Sequence, residues 1–170
     1  VTSFVGSGTA PAPTFFLLGD GHGQFTDGTV AITGQDRLML TGSGRTMAAD
    51  FNKDGKSDFM FFNQGDDAPP FAGGMNALFL SSSTTGLLAD ASPAAFSPAR
   101  FNHAGSAGDV NGDGYLDLLV NTLMEHGNDL FLNDGTGKLV LRNDLLPLRE
   151  DGIAPVYTYT QSGLIDVNAD

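Results

Sequence analysis

The sequence contains no cysteine and no tryptophan, and it has only eight basic residues. Without cysteine, neither a disulfide framework nor thiol chemistry can operate. The basic residues are scattered among 20 acidic ones, which give a formal net charge of −12, so a nucleic-acid surface is not expected. No stretch approaches the roughly 18 consecutive apolar residues of a membrane-spanning helix. Stability and function must therefore come from something other than disulfides, thiols, a basic surface or a membrane span.

Glutamate is also nearly absent, since 18 of the 20 acidic residues are aspartate. Glutamate favours helix surfaces, whereas aspartate favours turns and caps. Eight of the acidic residues lie in one short motif that occurs three times. The acidic composition therefore indicates loops, and bound cations would neutralise part of the negative charge.

This motif, Asp-x-Asn-x-Asp-Gly-x-x-Asp, is complete at residues 50–58 (loop one) and 109–117 (loop two), and it begins again at residues 166–170. Its oxygen-bearing side chains stand at positions 1, 3, 5 and 9, and the glycine at position 6 permits the positive φ of a sharp turn. Calcium prefers six to eight oxygen ligands at roughly 2.3–2.6 Å. The spacing therefore predicts a Ca²⁺ site in each complete loop.

The predicted ligands are four side chains and one main-chain carbonyl in each complete loop. In loop one they are Asp50, Asn52, Asp54, Asp58 and the carbonyl of Lys56. In loop two they are Asp109, Asn111, Asp113, Asp117 and the carbonyl of Tyr115. The third motif offers the beginning of another site, with the ligands Asp166, Asn168 and Asp170.

The same loop sequence has two other possible interpretations. An EF-hand loop needs a bidentate acid at position 12, but this position holds Phe61 in loop one and Val120 in loop two. A metal-free alternative is a set of polar turns, because Asp, Asn and Gly favour turns on their own. The repetition of the complete motif favours a metal site.

The motif begins at residues 50, 109 and 166, so the repeating unit spans about 58 residues. Each complete loop is preceded by small residues and followed by an apolar run. Two strands joined by a turn then follow, and such hairpins are expected at residues 14–25, 78–88 and 130–141. Asp20 and Asp134 are interpreted as turn formers in these hairpins. The pattern predicts four antiparallel strands per unit.

The segments DFNKDGKSD and DVNGDGYLD, each entering an apolar strand, resemble the calcium loops of FG-GAP/VCBS repeats. Such repeats build the β-propellers of integrin α-subunits and of several lectins. The resemblance implies an all-β fold, namely a partial β-propeller of four-stranded antiparallel blades with calcium loops. It also implies that further blades come from the same chain or from a neighbouring subunit.

The repeat suggests a division of one propeller domain into blades. Residues 1–44 would form the outer strands of a first blade, with residues 1–13 as a linker or a strand of a preceding blade. Residues 45–103 would form the second blade and residues 104–161 the third. The inner strand and the loop start of a fourth blade would occupy residues 162–170.

A ligand site is harder to predict than the metal sites. The second unit carries an insertion at residues 63–75, which would lie on the face opposite the metal loops and could bind a ligand. The alternative is a tolerated surface insertion. The candidate ligand-binding residues of this insertion are Asp66, Asp67 and Phe71. The three histidines are expected in surface loops, at His22, His103 and His126.

No arrangement of residues typical of a catalytic site was found, so an enzyme is not the favoured interpretation. The resemblance implies a calcium-stabilised extracellular recognition or adhesion module, such as a lectin, that binds a glycan or a protein surface. Two alternatives are a non-catalytic or partial propeller of a secreted polysaccharide-degrading enzyme, and a structural unit of a surface layer or filament. Secretion or cell-surface location is expected, because calcium is abundant outside cells.

Overall fold

A computed structural model describes residues 2–4, 10–36, 38–41, 44–66, 68–96, 98–123, 127–147 and 162–165. Within these residues, all but a few of the regular elements are β-strands, and they form three antiparallel sheets. The fold class is therefore all-β, as the sequence predicted.

The first sheet contains β1 (Thr2–Phe4), β2 (Pro11–Gly19), β3 (Phe25–Asp27) and β4 (Leu38–Thr41), and a short helix α1 (Thr29–Thr33) lies between β3 and β4. The second sheet contains β5 (Thr46–Ala49), β6 (Asp58–Phe61), β7 (Ala77–Ser81) and β8 (Leu88–Asp90). The third sheet contains β9 (Asn102–Gly108), β10 (Asp117–Thr122), β11 (Asp129–Asn133) and β12 (Leu139–Leu141). Short 3₁₀ helices lie at Ala94–Phe96 and Asn143–Leu145.

The second and third sheets have the same topology, in which each strand pairs with the next one along the chain. Four antiparallel strands per unit were predicted, and the structure confirms this order. The hairpins also form as predicted. In the turn between β2 and β3, the carboxylate of Asp20 accepts hydrogen bonds from the amides of His22 and Gln24. Asp20 is therefore a turn former.

The first sheet differs from the other two. Strand β1 pairs with β2 on one side, and β3 and β4 share the other side end to end. Residues 11–13 thus belong to the hairpin strand β2, whereas a linker or a preceding blade was expected over residues 1–13. Neither β4 nor α1 was predicted, since both lack a repeated motif in the sequence.

Residues 162–165 were predicted to form an inner strand, but they adopt no regular secondary structure. They nevertheless lie beside the third sheet. The hydroxyl of Ser162 donates to the side-chain oxygen of Asn121 at 3.0 Å, and the side chain of Leu164 lies next to Gly108. The remaining residues assigned to a fourth blade lie outside the described part of the chain.

The second and third sheets pack face to face through alternate residues of their strands. Side chains at successive strand positions point to opposite faces, so Met60 of β6 and Leu118 and Val120 of β10 enter one shared core. Phe131 of β11 joins them, and its ring meets that of Phe96 edge to face at 5.3 Å. This core is the largest apolar cluster among the described residues.

The opposite face of the second sheet packs on the first sheet. Phe61 and Phe79 of the second sheet form a buried cluster with Phe16 of β2. The ring of Phe16 meets Phe59 at 5.1 Å and Phe61 at 6.4 Å, both nearly perpendicular. The second sheet therefore buries both of its faces, and its β6 reads Asp-Phe-Met-Phe, without polar alternation.

The innermost strands β5 and β9 lie next to each other. Gly105 of β9 lies close to the second sheet, because a Cβ there would stand 2.5 Å from the ring of Phe62, which follows β6, and from the Leu119 carbonyl oxygen of β10. Small residues were expected in the inner strands, and Gly105 gives the steric reason. Consecutive four-stranded sheets that stack face to face with adjacent inner strands make the fold β-propeller-like.

The shared core yields a test of the fold. Leu118→Ala removes a fully buried side chain between the second and third sheets, and we expect a loss of about 2–5 kcal/mol in the free energy of unfolding. Val140→Ala on β12 is the control, because Val140 is 44% exposed. Urea unfolding measures both variants. Equal losses for the two variants would contradict the packing described here.

Candidate metal-binding loops

Loop one connects β5 to β6, and its carboxylates fold back onto its own backbone. The carboxylate of Asp50 accepts hydrogen bonds from the amides of Asp54 (3.1 Å) and Gly55 (2.9 Å). The side-chain oxygen of Asn52 also accepts from the Asp54 amide, at 3.1 Å. Asp54 in turn accepts from the amide of Lys56 at 2.9 Å. Positions 1, 3 and 5 are thus drawn into one tight turn.

Loop two connects β9 to β10 and repeats the same hydrogen bonds at the same positions. Asp109 accepts from the amides of Asp113 (3.2 Å) and Gly114 (2.7 Å). Asn111 accepts from Asp113 at 2.9 Å, and Asp113 accepts from the Tyr115 amide at 2.8 Å. The repeated sequence motif therefore corresponds to a repeated three-dimensional structure.

Both loops need a left-handed backbone at two positions. Gly55 and Gly114 at position 6 have φ values of 83° and 85°, as the motif suggested. Position 4 is also left-handed, with φ of 55° at Lys53 and 73° at Gly112. The motif did not predict this second left-handed position, because loop one has lysine there and not glycine.

The position-9 aspartates, Asp58 and Asp117, have a structural role that the motif alone did not reveal. Both are fully buried. Asp58 accepts hydrogen bonds from the amide of Phe51 and from the amide of Ser81 at the end of β7, each at 2.7 Å. Asp117 accepts in the same way from Val110 at 2.9 Å and from Asn133 at 2.8 Å. Each carboxylate thereby joins the start of its loop to the third strand of its sheet.

The chemistry of the donor set fits a hard cation. All the side-chain donors are oxygens, as Ca²⁺ and Mg²⁺ prefer, and Oδ2 of Asp54 is buried without a hydrogen-bond partner. Within the described ranges, however, no three acidic or histidine side chains stand together as a metal-holding group. Their oxygens are directed at loop amides instead. Calcium binding stays a prediction for these residues, and Asp166, Asn168 and Asp170 lie outside the described part.

The predicted carbonyl ligands belong to residues whose side chains make further contacts. Lys56 donates from its ammonium group to the carbonyl of Ser82 at 3.3 Å. The ring of Tyr115 is half-buried, and the ammonium of Lys53 lies 4.3 Å from its centroid. Lys53 belongs to loop one and Tyr115 to loop two, so the two loops contact each other across neighbouring sheets.

The insertion at residues 63–75 packs against Arg100 and Phe101, the two residues that lead into β9 of the third sheet. Gly74 exchanges two backbone hydrogen bonds with Arg100, at 3.0 and 3.2 Å, and the ring of Phe71 meets Phe101 at 5.5 Å. Asp66 is half-buried, while Asp67 lies outside the described residues. The insertion therefore connects two sheets, and whether it also binds a ligand stays a prediction.

The other polar candidates have simple roles. His22 is an exposed turn residue, as expected. His103 lies in β9 with its ring 5.3 Å from that of Phe101, so its expected place in a loop was wrong. His126 lies outside the described residues. The hydroxyl of Thr136 donates to Asp134 at 2.6 Å and holds the pKa of this carboxyl below its usual value, which confirms Asp134 as a turn former.

A pocket of about 220 Å³ opens between the first and second sheets, at the end of the second sheet opposite loop one. Its wall combines apolar with polar and charged side chains. The polar lining includes Arg45, Asn76 and Asp90, and the apolar lining includes Met39 and Met75. Met75 is the last residue of the insertion.

Comparison with known proteins supports the interpretation of the repeat. Residues 50–120 match the family model described as an FG-GAP-like repeat. This segment contains both complete loops and the strands between them, so it resembles that family in sequence as well as in sheet topology. A search of curated proteins found no match. No helix among the described residues is long and apolar enough to cross a membrane.

The role of the position-9 carboxylates can be tested separately from metal binding. Asp58→Ala leaves the buried amides of Phe51 and Ser81 without an acceptor, and we expect a loss of about 2 kcal/mol or more in stability. A loss of this size should already be present in EDTA, where no cation is bound. Asp134→Ala, in an exposed turn, is the control. Thermal unfolding that shows a loss in calcium alone would contradict the structural role.

Proposed function

We propose that this chain is part of a calcium-stabilised, propeller-like module that recognises a ligand outside the cell. The observation that carries the proposal is the pair of loops with the same hydrogen-bond pattern and the same all-oxygen donor set. The buried, unpartnered Oδ2 of Asp54 supports it. A family that builds propellers agrees with this function, although a shared fold does not by itself specify a ligand.

Asp50, Asn52 and Asp54 would hold a calcium ion in loop one, and Asp109, Asn111 and Asp113 would do so in loop two. A bound dication would supply positive charge beside the two carboxylates of each ligand set. Hydrogen bonds to the side chains already hold each loop backbone in a curled conformation. Few torsion angles would therefore need to be ordered on binding. The position-9 carboxylates anchor each loop to its sheet. With no disulfide in the sequence, calcium would take over the stabilising role.

Calcium binding is tested through stability. We expect calcium to raise the melting temperature of the wild-type protein, because at 100 times its dissociation constant it adds roughly 2.7 kcal/mol per site. Asp113→Ala should lower the melting temperature in calcium and change it little in EDTA, since Asp113 is exposed.

Asp20→Ala provides a matched control, as Asp20 is an exposed turn aspartate outside both loops. Its effect should not depend on calcium. Equal losses for Asp113→Ala in calcium and in EDTA would refute the proposed site.

Recognition would take place at the end of the second sheet opposite loop one. The pocket there offers a guanidinium, a carboxylate and an amide next to apolar side chains. Sugars combine polar hydroxyl groups with apolar C–H faces of the ring, so a pocket wall with both polar and apolar side chains suits a glycan. A rigid sheet scaffold with binding residues at its ends is a common arrangement in proteins. Localisation outside the cell agrees with calcium sites, which extracellular modules bind at about 10⁻⁴–10⁻³ M.

Binding to a glycan array, with and without EDTA, tests this part of the proposal. We expect the wild-type protein to retain a subset of glycans in calcium, and Arg45→Ala to lose them. Arg142→Ala is the matched control, because Arg142 lies just after β12, away from the pocket, and is paired with Asp144. Absence of glycan binding together with concentration-dependent self-association would favour the structural-unit hypothesis instead.

A further inference from the structure

A continuous chain of buried hydrogen bonds joins the two position-9 carboxylates. The amide of Phe51 donates to Asp58 in loop one at 2.7 Å. The carbonyl of the same residue accepts from the side-chain amide of Asn133 at 2.8 Å. The backbone amide of Asn133 then donates to Asp117 of loop two, also at 2.8 Å. All four residues are at least 97% buried.

The side chain of Asn133 has a partner for each of its hydrogen-bonding positions. Besides Phe51, its amide group donates to the carbonyl of Leu116 at 3.0 Å. Its oxygen accepts from the backbone amides of Gly135 and Gly137, each at 3.0 Å. An asparagine amide offers two donors and a carbonyl with two acceptor sites. This residue is thus fixed in orientation and connects loop one, loop two and the β11–β12 turn.

The counterpart of Asn133 in the second sheet is Ser81, whose side chain makes different contacts. Ser81 also donates its backbone amide to the position-9 aspartate of its own loop. Its hydroxyl, however, contacts Asp54 and Asp58 of that same loop, both at 2.9 Å. Of these two side chains, that of Asn133 reaches the neighbouring sheet and that of Ser81 does not.

We propose that loop one and loop two are one thermodynamically coupled unit, with Asn133 as the positioning residue that transmits order between them. The inference rests on the proposed calcium function. A cation in loop one restrains the backbone at Phe51. The carbonyl of Phe51 then restrains the side chain of Asn133, and with it the Asn133 backbone amide that donates to Asp117. Loop two then has less conformational entropy to lose when it binds, so the coupling is positive. The Lys53 ammonium near loop two opposes a second cation, but it is exposed and screened by salt.

The test compares affinities in a double-mutant cycle. Asp54→Ala disables loop one, and the calcium affinity of loop two is then measured by titration followed by NMR. In the wild-type background we expect a loss of about fivefold or more in loop-two affinity. In the Asn133→Ser background the same change should cost less than twofold in loop-two affinity. Serine keeps the backbone donor to Asp117 but loses the side-chain hydrogen bond to the Phe51 carbonyl, here called the bridge.

Asn128→Ser is the matched control. Asn128 is also a buried asparagine, but it immediately precedes β11, at the end of this strand opposite Asn133, and it pairs with Asn121. The control should behave as the wild type does. Thermodynamic reciprocity provides a second measurement that leaves Asn133 intact: Asp113→Ala in loop two should weaken loop one by the same factor. Independent loop affinities in either measurement overturn the coupling and leave the calcium function standing.

A metal-free measurement tests the bridge itself. In EDTA, Asn133→Ser should accelerate hydrogen exchange at the amide of Phe51 in loop one, 82 residues away along the chain, and Asn128→Ser should not. Unchanged exchange at this amide overturns the bridge. If the intact protein binds no calcium, the proposed function and the coupling of affinities fail together, while accelerated exchange would still establish the bridge.

Discussion

The structure depends most on two buried carboxylates, Asp58 and Asp117, whose partners are backbone amides and a serine hydroxyl. A carboxylate removed from water is costly unless several donors surround it. Here the donors come from the start of the loop and from the end of the third strand, so one side chain closes both the loop and the sheet. Because moving one of these amides would leave buried charge unpaired, the hydrogen bonds restrain the start of each loop even without a cation. The sheet topology and the loop conformation therefore depend on the same hydrogen bonds.

The environments of the two loops differ although their backbones agree. Loop one lies where the second and third sheets meet, and its position-2 residue, Phe51, is part of the shared core. The same position in loop two is Val110, which is 43% exposed. The burial of Phe51 follows from sheet stacking, since the apolar faces of β6 and β10 hold the two sheets together beneath loop one. Loop one consequently has a buried, unpartnered oxygen on Asp54, whereas Asp113 is exposed.

Much of this arrangement is predictable from the sequence, because the repeat places the same motif before each buried strand. The antiparallel strand order and the turns at Asp20 and Asp134 follow from local chemistry. Strand β4 and helix α1 could not be found in this way, since tertiary contacts and not a repeated pattern determine them. The ligand role assigned to Asp58 and Asp117 also omitted their buried hydrogen bonds. A nine-residue motif does not include Ser81 or Asn133, which lie many residues further along the chain.

The contrast between Ser81 and Asn133 explains how a repeat can build more than a row of independent units. Both residues end the third strand of their sheet, and both give a backbone amide to the position-9 aspartate. The shorter side chain returns to its own loop, while the longer one reaches a carbonyl of the neighbouring loop. In a stack of sheets whose stability is a sum of units and interfaces, the side chain at this one position adds a hydrogen bond either within its own unit or across the interface. Cooperation between loops can thus be encoded outside the motif that defines them.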